Sequence, residues 1–473
     1  MCPVGAQPSD LADWTAVELV SAYRRRDVSP VDATQAVLTR IETFDSTVKA
    51  YCVLDSSFAL AEAQKSENRW QAGRPAGPVD GVPASVKDLL LTRGWPTLRG
   101  SKSIDPDQDW TVDSPCVARL RESGAVLVGK TTTPELGWKG VTDNPLTGVT
   151  RNPWDPTRTS GGSSGGAAAA VAAGMGPLAM GTDGGGSVRI PGSFCGVVGF
   201  KATYGTVPIY PPSPFGTLAH VGPLTRTVDD AALVLDVVTG PDSRDWSALA
   251  SPSDSFRSGL DTSLAGLRVA YSPDLGFAAV DPGVAAAVER AVGILADLGA
   301  QVEKVDPGFE DPVWAFECLW FAGAAKATEH LTEQQRSELD PALARACEIG
   351  REFSAQDYLE ANARRMNLGV AMGAFHERYD LLVTPTMPIV AFEAGVEVPD
   401  GWTGRGWTSW TPFTYPFNLT QQPAITVPCG FSASGLPIGL QIVGPRHADV
   451  RVLNAAKAYE DATEWWKRRP VLR

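Results

Sequence analysis

Two serine clusters set among glycines are the parts of this chain best suited to chemistry. Gly161-Gly162-Ser163-Ser164-Gly165-Gly166 and Gly184-Gly185-Gly186-Ser187 flank an alanine-rich run and a short apolar segment, Pro177 to Met180, within the stretch Ser160 to Pro191. Glycine loses more conformational freedom on folding than any other residue, so such density is kept where backbone turns sharply or approaches a ligand. A serine in that setting presents a hydroxyl beside several backbone N–H groups. Those are a nucleophile and a preorganised oxyanion hole, the two parts an acyl-transfer enzyme needs. A flexible Gly/Ser linker would lack the helix-like and strand-like residues that separate the clusters.

A serine hydroxyl is a weak nucleophile and needs a base within hydrogen-bond reach. The four histidines, His220, His330, His376 and His447, lie in no glycine-rich or otherwise suggestive setting. Gly161-x-Ser163-x-Gly165 matches the nucleophile-elbow pattern of α/β-hydrolases, whose base is histidine. That pattern belongs directly after a strand, whereas Asn152 to Ser160 reads as a Pro/Arg/Thr-rich loop. A His-triad esterase therefore ranks second. No Gly-x-x-x-x-Gly-Lys-Ser/Thr motif occurs and no Gly-x-Gly-x-x-Gly follows a clear strand, which argues against nucleotide binding. Lysine is the remaining base, and it serves only where burial holds it neutral near pH 7. Lys87 ends the apolar run Val82 to Val86, a predicted buried strand, and has that setting. On local pattern alone a solvated strand terminus is the plainer reading of Lys87. Spacing does not pair it with either serine.

The elements that must position these groups are helices alternating with short apolar strands. Thr15-Ala-Val-Glu18 is a capping box opening a helix through about Arg25, Ser29-Pro30 starts a second helix to about Phe44, and a third covers Ser57 to Ala72. These predict a helical N-terminal layer over residues 1–74. Ser114-Pro115 starts a helix closed by Gly124, with a strand at Ala125 to Val128 and a loop-rich segment, Thr131 to Asn144, that carries Trp138. Cys195 to Lys201 reads as a strand, and Thr227 caps a helix to about Thr239. After a polar connection, Pro241 to Ser263, the pattern predicts strands at Leu267 to Tyr271, Gln301 to Val305 and Leu381 to Thr384. Helices are predicted at Pro282 to Leu298, 312–330 and 354–378. A hairpin of Ile425 to Cys429 with Ile438 to Val443 and a helix from about Asp449 close the chain. This alternation indicates an α/β protein with a largely parallel or mixed sheet. Glu393 to Pro423 shows neither period and holds Trp402, Trp407, Trp410, Phe413, Tyr415 and Phe417. A loop of that length and content reads as a wall or lid over an apolar substrate pocket, although rings packing within the loop fit equally well.

With 43% apolar and 20% charged residues the composition is globular, and 473 residues alone would suggest two or three domains. A formal charge of −13 argues against nucleic-acid or anionic-membrane partners, which need a basic footprint. The seven cysteines are scattered without a Cys-x-x-Cys pair, so neither a disulfide framework nor a zinc site is expected. MCPVGAQPSDLADW has neither a basic n-region nor an apolar h-region, and no apolar run reaches transmembrane length. The expectation is a cytoplasmic protein.

Taken together, these residues resemble the amidase signature family. The resemblance covers most of the chain and is strongest over 75–240. It is carried by Gly81-Val-Pro-Ala-Ser-Val-Lys87-Asp88, Gly161 to Gly166, Gly181-Thr-Asp-Gly-Gly-Gly-Ser187-Val-Arg-Ile-Pro191 and Phe194-Cys-Gly-Val-Val-Gly-Phe-Lys201. Several motifs in the right order make chance improbable. Two departures are the third consecutive glycine, Gly184, where relatives vary, and Lys201-Ala202 where Lys-Pro is common.

The resemblance implies one α/β domain over 1–473, a central twisted mixed sheet covered by helices on both faces. Its signature core lies at 75–240, and 241–473 supplies the remainder of the sheet with the aromatic loop at about 393–423. It implies amide hydrolysis by a Ser–cis-Ser–Lys triad, with no cofactor and no metal. Carried onto matching positions, Ser187 is the nucleophile, Ser163 the bridging serine after a cis Gly162–Ser163 peptide, and Lys87 the base. The N–H groups of Gly184, Gly185, Gly186 and Ser187 form the oxyanion hole. Asp183 and Arg189 hold the nucleophile loop, and Ser164 is a loop-fixing hydroxyl. Gly137 and Trp138 match a stretch lining the acyl-binding region in relatives, and Trp410 is added from the aromatic loop as a substrate contact. The loop favours bulky apolar or aryl amides, anilides or carbamates (urethanes), with esters in reach, over free glutamine. The rival reading is the A subunit of a tRNA-dependent amidotransferase, which works only within a complex. The expected partner is a small-molecule amide or carbamate, with no nucleic acid and no membrane, and a homodimer is admitted.

Overall fold

The first helix, Ala16–Arg25, starts where the sequence places it: the Glu18 N–H donates to Thr15 Oγ1 at 3.1 Å and the Thr15 N–H returns a bond to the Glu18 carboxylate at 2.8 Å. Ser29 and Asp32 make the same reciprocal pair ahead of the second helix, Pro30–Val48, which runs one turn beyond its expected end. In this computed structural model, residues 10–252, 254–260, 263–402 and 404–472 are described. Cys2 and most of the stretch read for a leader lie outside them.

Among the described residues eleven strands form one mixed sheet. In chain order they are β1 (Tyr51–Leu54), β2 (Pro83–Lys87), β3 (Val126–Thr131), β4 (Leu178–Asp183), β5 (Val198–Lys201), β6 (His220–Thr225), β7 (Arg268–Tyr271), β8 (Gln301–Lys304), β9 (Leu381–Pro385), β10 (Ala424–Phe431) and β11 (Pro437–Val443). Across the sheet they run β1-β3-β2-β4-β6-β5-β10-β11-β9-β7-β8. The β3-β2-β4 and β9-β7-β8 neighbours are parallel, and every other pairing is antiparallel.

Side chains alternate across a strand, so a sheet buried on both faces feeds two cores. Leu178 and Met180 enter one core and Ala179 another; Val269 and Tyr271 join the first and Ala270 a third. Helices Pro115–Glu122, Val228–Val238, Pro282–Asp297 and Asp449–Thr463 cover the first face. Pro30–Val48, the alanine-rich Gly165–Ala172 and the group Val313–Ala327, Pro341–Glu352 and Ala355–Arg378 cover the other. The fold is the single α/β domain the resemblance implies, and the division suggested by length alone does not occur.

Several boundaries differ from expectation. The N-terminal segment is not helical throughout, because Tyr51–Leu54 is the edge strand β1. Asn152 to Ser160 is not plain loop but part of a two-stranded ribbon, Arg151–Asn152 with Asp155–Thr159. The strand expected from Cys195 begins at Val198, because Arg189–Cys195 is a short helix closed by Gly196 in the left-handed region. The central strand β6 has no sequence counterpart above, since Gly222 and Pro223 interrupt its pattern. Helices Glu333–Ser337 and Pro341–Glu352 are likewise additional. Among the described residues no helix is long and apolar enough to cross a membrane, and the six described cysteines are free thiols.

Candidate active site

Strand β2, buried along its whole length between β3 and β4, ends at Lys87 and carries its amine into the protein interior. Lys87 Nζ lies 2.7 Å from Ser163 Oγ, 2.9 Å from Ser164 Oγ and 2.9 Å from Thr182 Oγ1. Among the described residues no carboxylate forms an ion pair with it. Burial holds the amine well below its ordinary value, and only the more distant charge of Asp183 acts against that shift. The Gly162–Ser163 peptide is cis. The Ser164 hydroxyl donates to the Thr182 carbonyl at 3.1 Å, so toward Lys87 it can only accept. The Ser164 N–H donates to the Ser187 carbonyl at 3.1 Å, which joins the two serine clusters directly.

Ser187 follows β4 through a loop organised by Asp183. The buried carboxylate accepts from the N–H groups of Gly186 (2.8 Å) and Val188 (3.2 Å), from Arg189 Nε and Nη2 (3.0 Å each) and from Asn418 Nδ2 (2.9 Å). Arg189 Nη1 continues to Gln441 at 2.8 Å, and Nη2 to Asn418 at 2.7 Å. Burial works to raise the Asp183 carboxyl, but Arg189 and these donors hold it below the usual carboxylate range. Asp183 and Arg189 thus occupy the place expected of them. The same network corrects one expectation: the Gly186 N–H is taken by Asp183 and does not face a developing oxyanion. The N–H groups of Gly184, Gly185 and Ser187 have no acceptor among the described residues.

Ser163, Thr182, Gly184 and Ser187 line one cavity of about 230 Å³ together with Gly137. The Ser187 hydroxyl has no hydrogen-bond partner among the described residues. Leu89, Leu136, the segment 208–215 and Trp320 supply most of the apolar wall. Phe215 stacks on Trp320 with ring centroids 3.8 Å apart. Two of the expected substrate contacts are not part of this wall. Trp138 is buried, and its carbonyl accepts from Trp320 Nε1 at 2.9 Å. Trp410 is wholly enclosed, stacked on Phe194 and donating to the Glu397 carbonyl at 3.0 Å. Trp407, Phe413, Tyr415 and Phe417 are buried too, and Trp402 packs against the same core. The aromatic loop is therefore neither wall nor lid. It packs behind the nucleophile loop, where the Thr414 hydroxyl donates to the Gly185 carbonyl at 2.7 Å.

Sequence reasoning missed Thr182, Trp320 and the 208–215 segment. The last had a readable signal: PIYPPSPF is apolar, yet its four prolines exclude helix and central strand. Two histidines, His220 and His330, also line the cavity. His220 Nδ1 lies 2.8 Å from the Leu218 carbonyl and Nε2 is 3.4 Å from Lys201 Nζ. Burial, then the charge of Lys201, keeps His220 well below its ordinary value. Among the described residues no histidine hydrogen-bonds a serine, so the arrangement of a His triad is not formed.

The chain as a whole is also similar to known proteins. A family model described as Amidase matches residues 32–453. The chain is similar to an acylamidase of Rhodococcus erythropolis, 38% identical over 466 residues and 97% of each chain. It is also similar to the A subunit of the glutamyl-tRNA(Gln) amidotransferase of Moorella thermoacetica, 37% identical over 487 residues, 97% of this chain and 98% of that one. A solved bacterial aryl acylamidase of the amidase signature enzymes superposes with a TM-score of 0.90 at 31% identity, covering 96% of both chains.

Proposed function

The chain belongs to the amidase signature family and is a hydrolase of carbon–nitrogen amide bonds, and from that premise we propose that it cleaves bulky apolar or aryl amides, anilides and carbamates through an acyl-enzyme on Ser187. The observation that carries this reading is the buried Lys87 amine, 2.7 Å from Ser163 and without an acid partner among the described residues. A neutral amine has two N–H donors and one lone pair. Ser164 must accept one N–H because its own hydrogen goes to Thr182, and Thr182 Oγ1 can accept the other. The lone pair is then left for the Ser163 hydroxyl.

Ser163 passes its proton to Lys87 and takes one from Ser187, whose oxygen attacks the acyl carbon. The second leg of this relay closes when substrate fills the cavity, since catalytic hydrogen bonds tighten in the complex. The tetrahedral oxyanion accepts from the N–H groups of Gly184, Gly185 and Ser187, fixed in place by Asp183, Arg189 and Thr414. Collapse breaks the C–N bond while the relay returns the proton to the departing amine. Water, deprotonated through the same chain, then releases the acid from Ser187. The apolar walls around Trp320 and Phe215 support a substrate with an apolar or aryl body. Similarity to an amidotransferase A subunit favours glutamine instead, but glutamine carries an α-ammonium and, among the described residues, no Asp or Glu lines the cavity.

The test is hydrolysis of a chromogenic anilide by the purified chain, with covalent labelling by a serine-directed phosphonate. The expected result is turnover and a single label on Ser187, both abolished by Ser187→Ala. Persistence of either in that variant overturns the assignment, and turnover of glutamine or acetamide alone overturns the substrate class.

A further inference from the structure

Arg99 lines the cavity, and among the described residues no carboxylate is paired with its guanidinium. Its backbone is in the left-handed region, with φ 54°, and its carbonyl accepts from the Leu136 N–H at 2.8 Å. That bond fixes the root of the side chain beside Leu136 and Gly137, and all three line the cavity that holds Ser163 and Ser187. Among the described residues the guanidinium makes neither a hydrogen bond nor an ion pair. The carboxylate whose charge reaches it, Asp88, is already paired with Lys130 at 2.9 Å. Among the described residues no Asp or Glu lines the cavity.

A partly buried cation beside apolar walls loses part of its hydration, and an anionic ligand would restore what is lost. The planar fork of five N–H donors fits a carboxylate bidentately, and the apolar walls would strengthen that pairing by excluding water.

We propose that the substrate of this site carries a carboxylate besides its scissile amide, and that Arg99 binds the carboxylate while Ser187 attacks the acyl carbon. The class is N-acyl amino acids and aryl amides bearing a carboxylate. This rests on the amide-hydrolase reading and narrows it: the apolar part of the substrate meets Trp320 and Phe215, and the anionic part meets Arg99. The carboxylate itself is not consumed, and the reaction remains addition of water across the C–N bond to give an acid and an amine.

The test uses matched pairs that differ only in charge. N-benzoylglycine and N-benzoylglycinamide place the carboxylate on the amine side, and glutaranilic acid and its amide place it on the acyl side. Binding is measured by calorimetry on the Ser187→Ala protein, and kcat/KM on the unmodified chain. The acid of at least one pair should bind tenfold or more tighter than its amide. Arg99→Gln should erase that preference, Arg99→Lys should keep part of it, and raised salt should weaken it. Equal affinity within both pairs, or a preference unchanged in Arg99→Gln, overturns the proposal. In that case continued turnover of a neutral anilide leaves the hydrolase reading standing. Loss of turnover on every amide would strike the hydrolase reading instead, while the calorimetry still decides the role of Arg99.

Discussion

The ring of Trp320 occupies the space where residue 184 would carry a side chain: a Cβ on Gly184 would come within 2.6 Å of Trp320 Cζ3. Phe316 and Trp407 crowd Gly185 in the same way, at 2.7 and 2.8 Å. The glycine run before Ser187 therefore answers two needs. Gly184 lines the cavity beside Ser187, and the absence of side chains lets the rings of Trp320, Phe316 and Trp407 press against the loop. The third glycine, a departure from relatives in the sequence, is explained by this contact.

Gly184→Ala should lower stability by about 1–3 kcal/mol, the range for overpacking a filled core. It should also lower kcat/KM, because the loop must move away from the ring. Thermal unfolding and anilide kinetics measure both. Pairing it with Trp320→Leu should recover part of the stability loss, giving a non-additive double-mutant cycle. Additive losses would show that the ring is not the obstacle.

Ser163 and Ser187 stand out in the sequence through the glycines around them, whereas Lys87, at the end of an apolar strand, reads as an ordinary strand terminus and joins them only through the family resemblance. The alternating strands near β2 and β3 and the C-terminal hairpin were legible from period and capping alone. Thr182 was not, since a threonine inside a strand is ordinary until its neighbours across the sheet are known. Trp320 lies on a helix, Val313–Ala327, that is apolar around most of its circumference, so no period marks which ring meets the cavity. Trp410 was misplaced for the complementary reason. An aromatic residue in a long loop shows its hydrophobicity in the sequence, but not whether ligand or protein covers it.

Trp410 and Trp320 should therefore respond differently to truncation. Trp410→Ala opens a cavity in a closed core and should lower stability by about 3–5 kcal/mol, while the KM of protein that remains folded stays near the unmodified value. Trp320→Ala should raise KM for aryl substrates, since it removes a wall of the site. A large KM effect from the milder Trp410→Phe would return that residue to the substrate pocket.

Asp183 and Arg189 form an ion pair with both side chains fully enclosed, 3.0 Å apart. Arg189→Met leaves the carboxylate buried without its cation and should cost about 3–5 kcal/mol. The pH dependence has a definite sign. Asp183 is held below its ordinary value, so its contribution to stability is complete above the unfolded carboxylate pKa of about 3.9 and is lost as pH falls through the folded value. Removing Arg189 should move the acid unfolding midpoint upward. An unchanged midpoint by circular dichroism would mean that the pair does not anchor the loop.

Lys87 provides the sharpest test of the relay, because charge and activity are linked in opposite directions. Burial holds its amine well below the ordinary value, so the folded protein keeps it neutral over a range in which the unfolded chain would protonate it. Only the neutral form can take a proton from Ser163. Activity should therefore fall on the acid side, as kcat/KM drops with protonation of Lys87, and should hold toward neutral and mildly alkaline pH. Lys87→Met should lower kcat by a factor on the order of 10²–10⁴, the range for losing a general base. Stability gives an independent readout. Between the folded value and the unfolded value of about 10.4 the unfolded state binds the extra proton, so stability rises with pH there. Lys87→Met should flatten that rise, measured by denaturant unfolding at a series of pH values. An acid limb that persists with the unmodified midpoint in the residual activity of Lys87→Met would assign the titrating base to another residue, with His220 the first to replace by Gln.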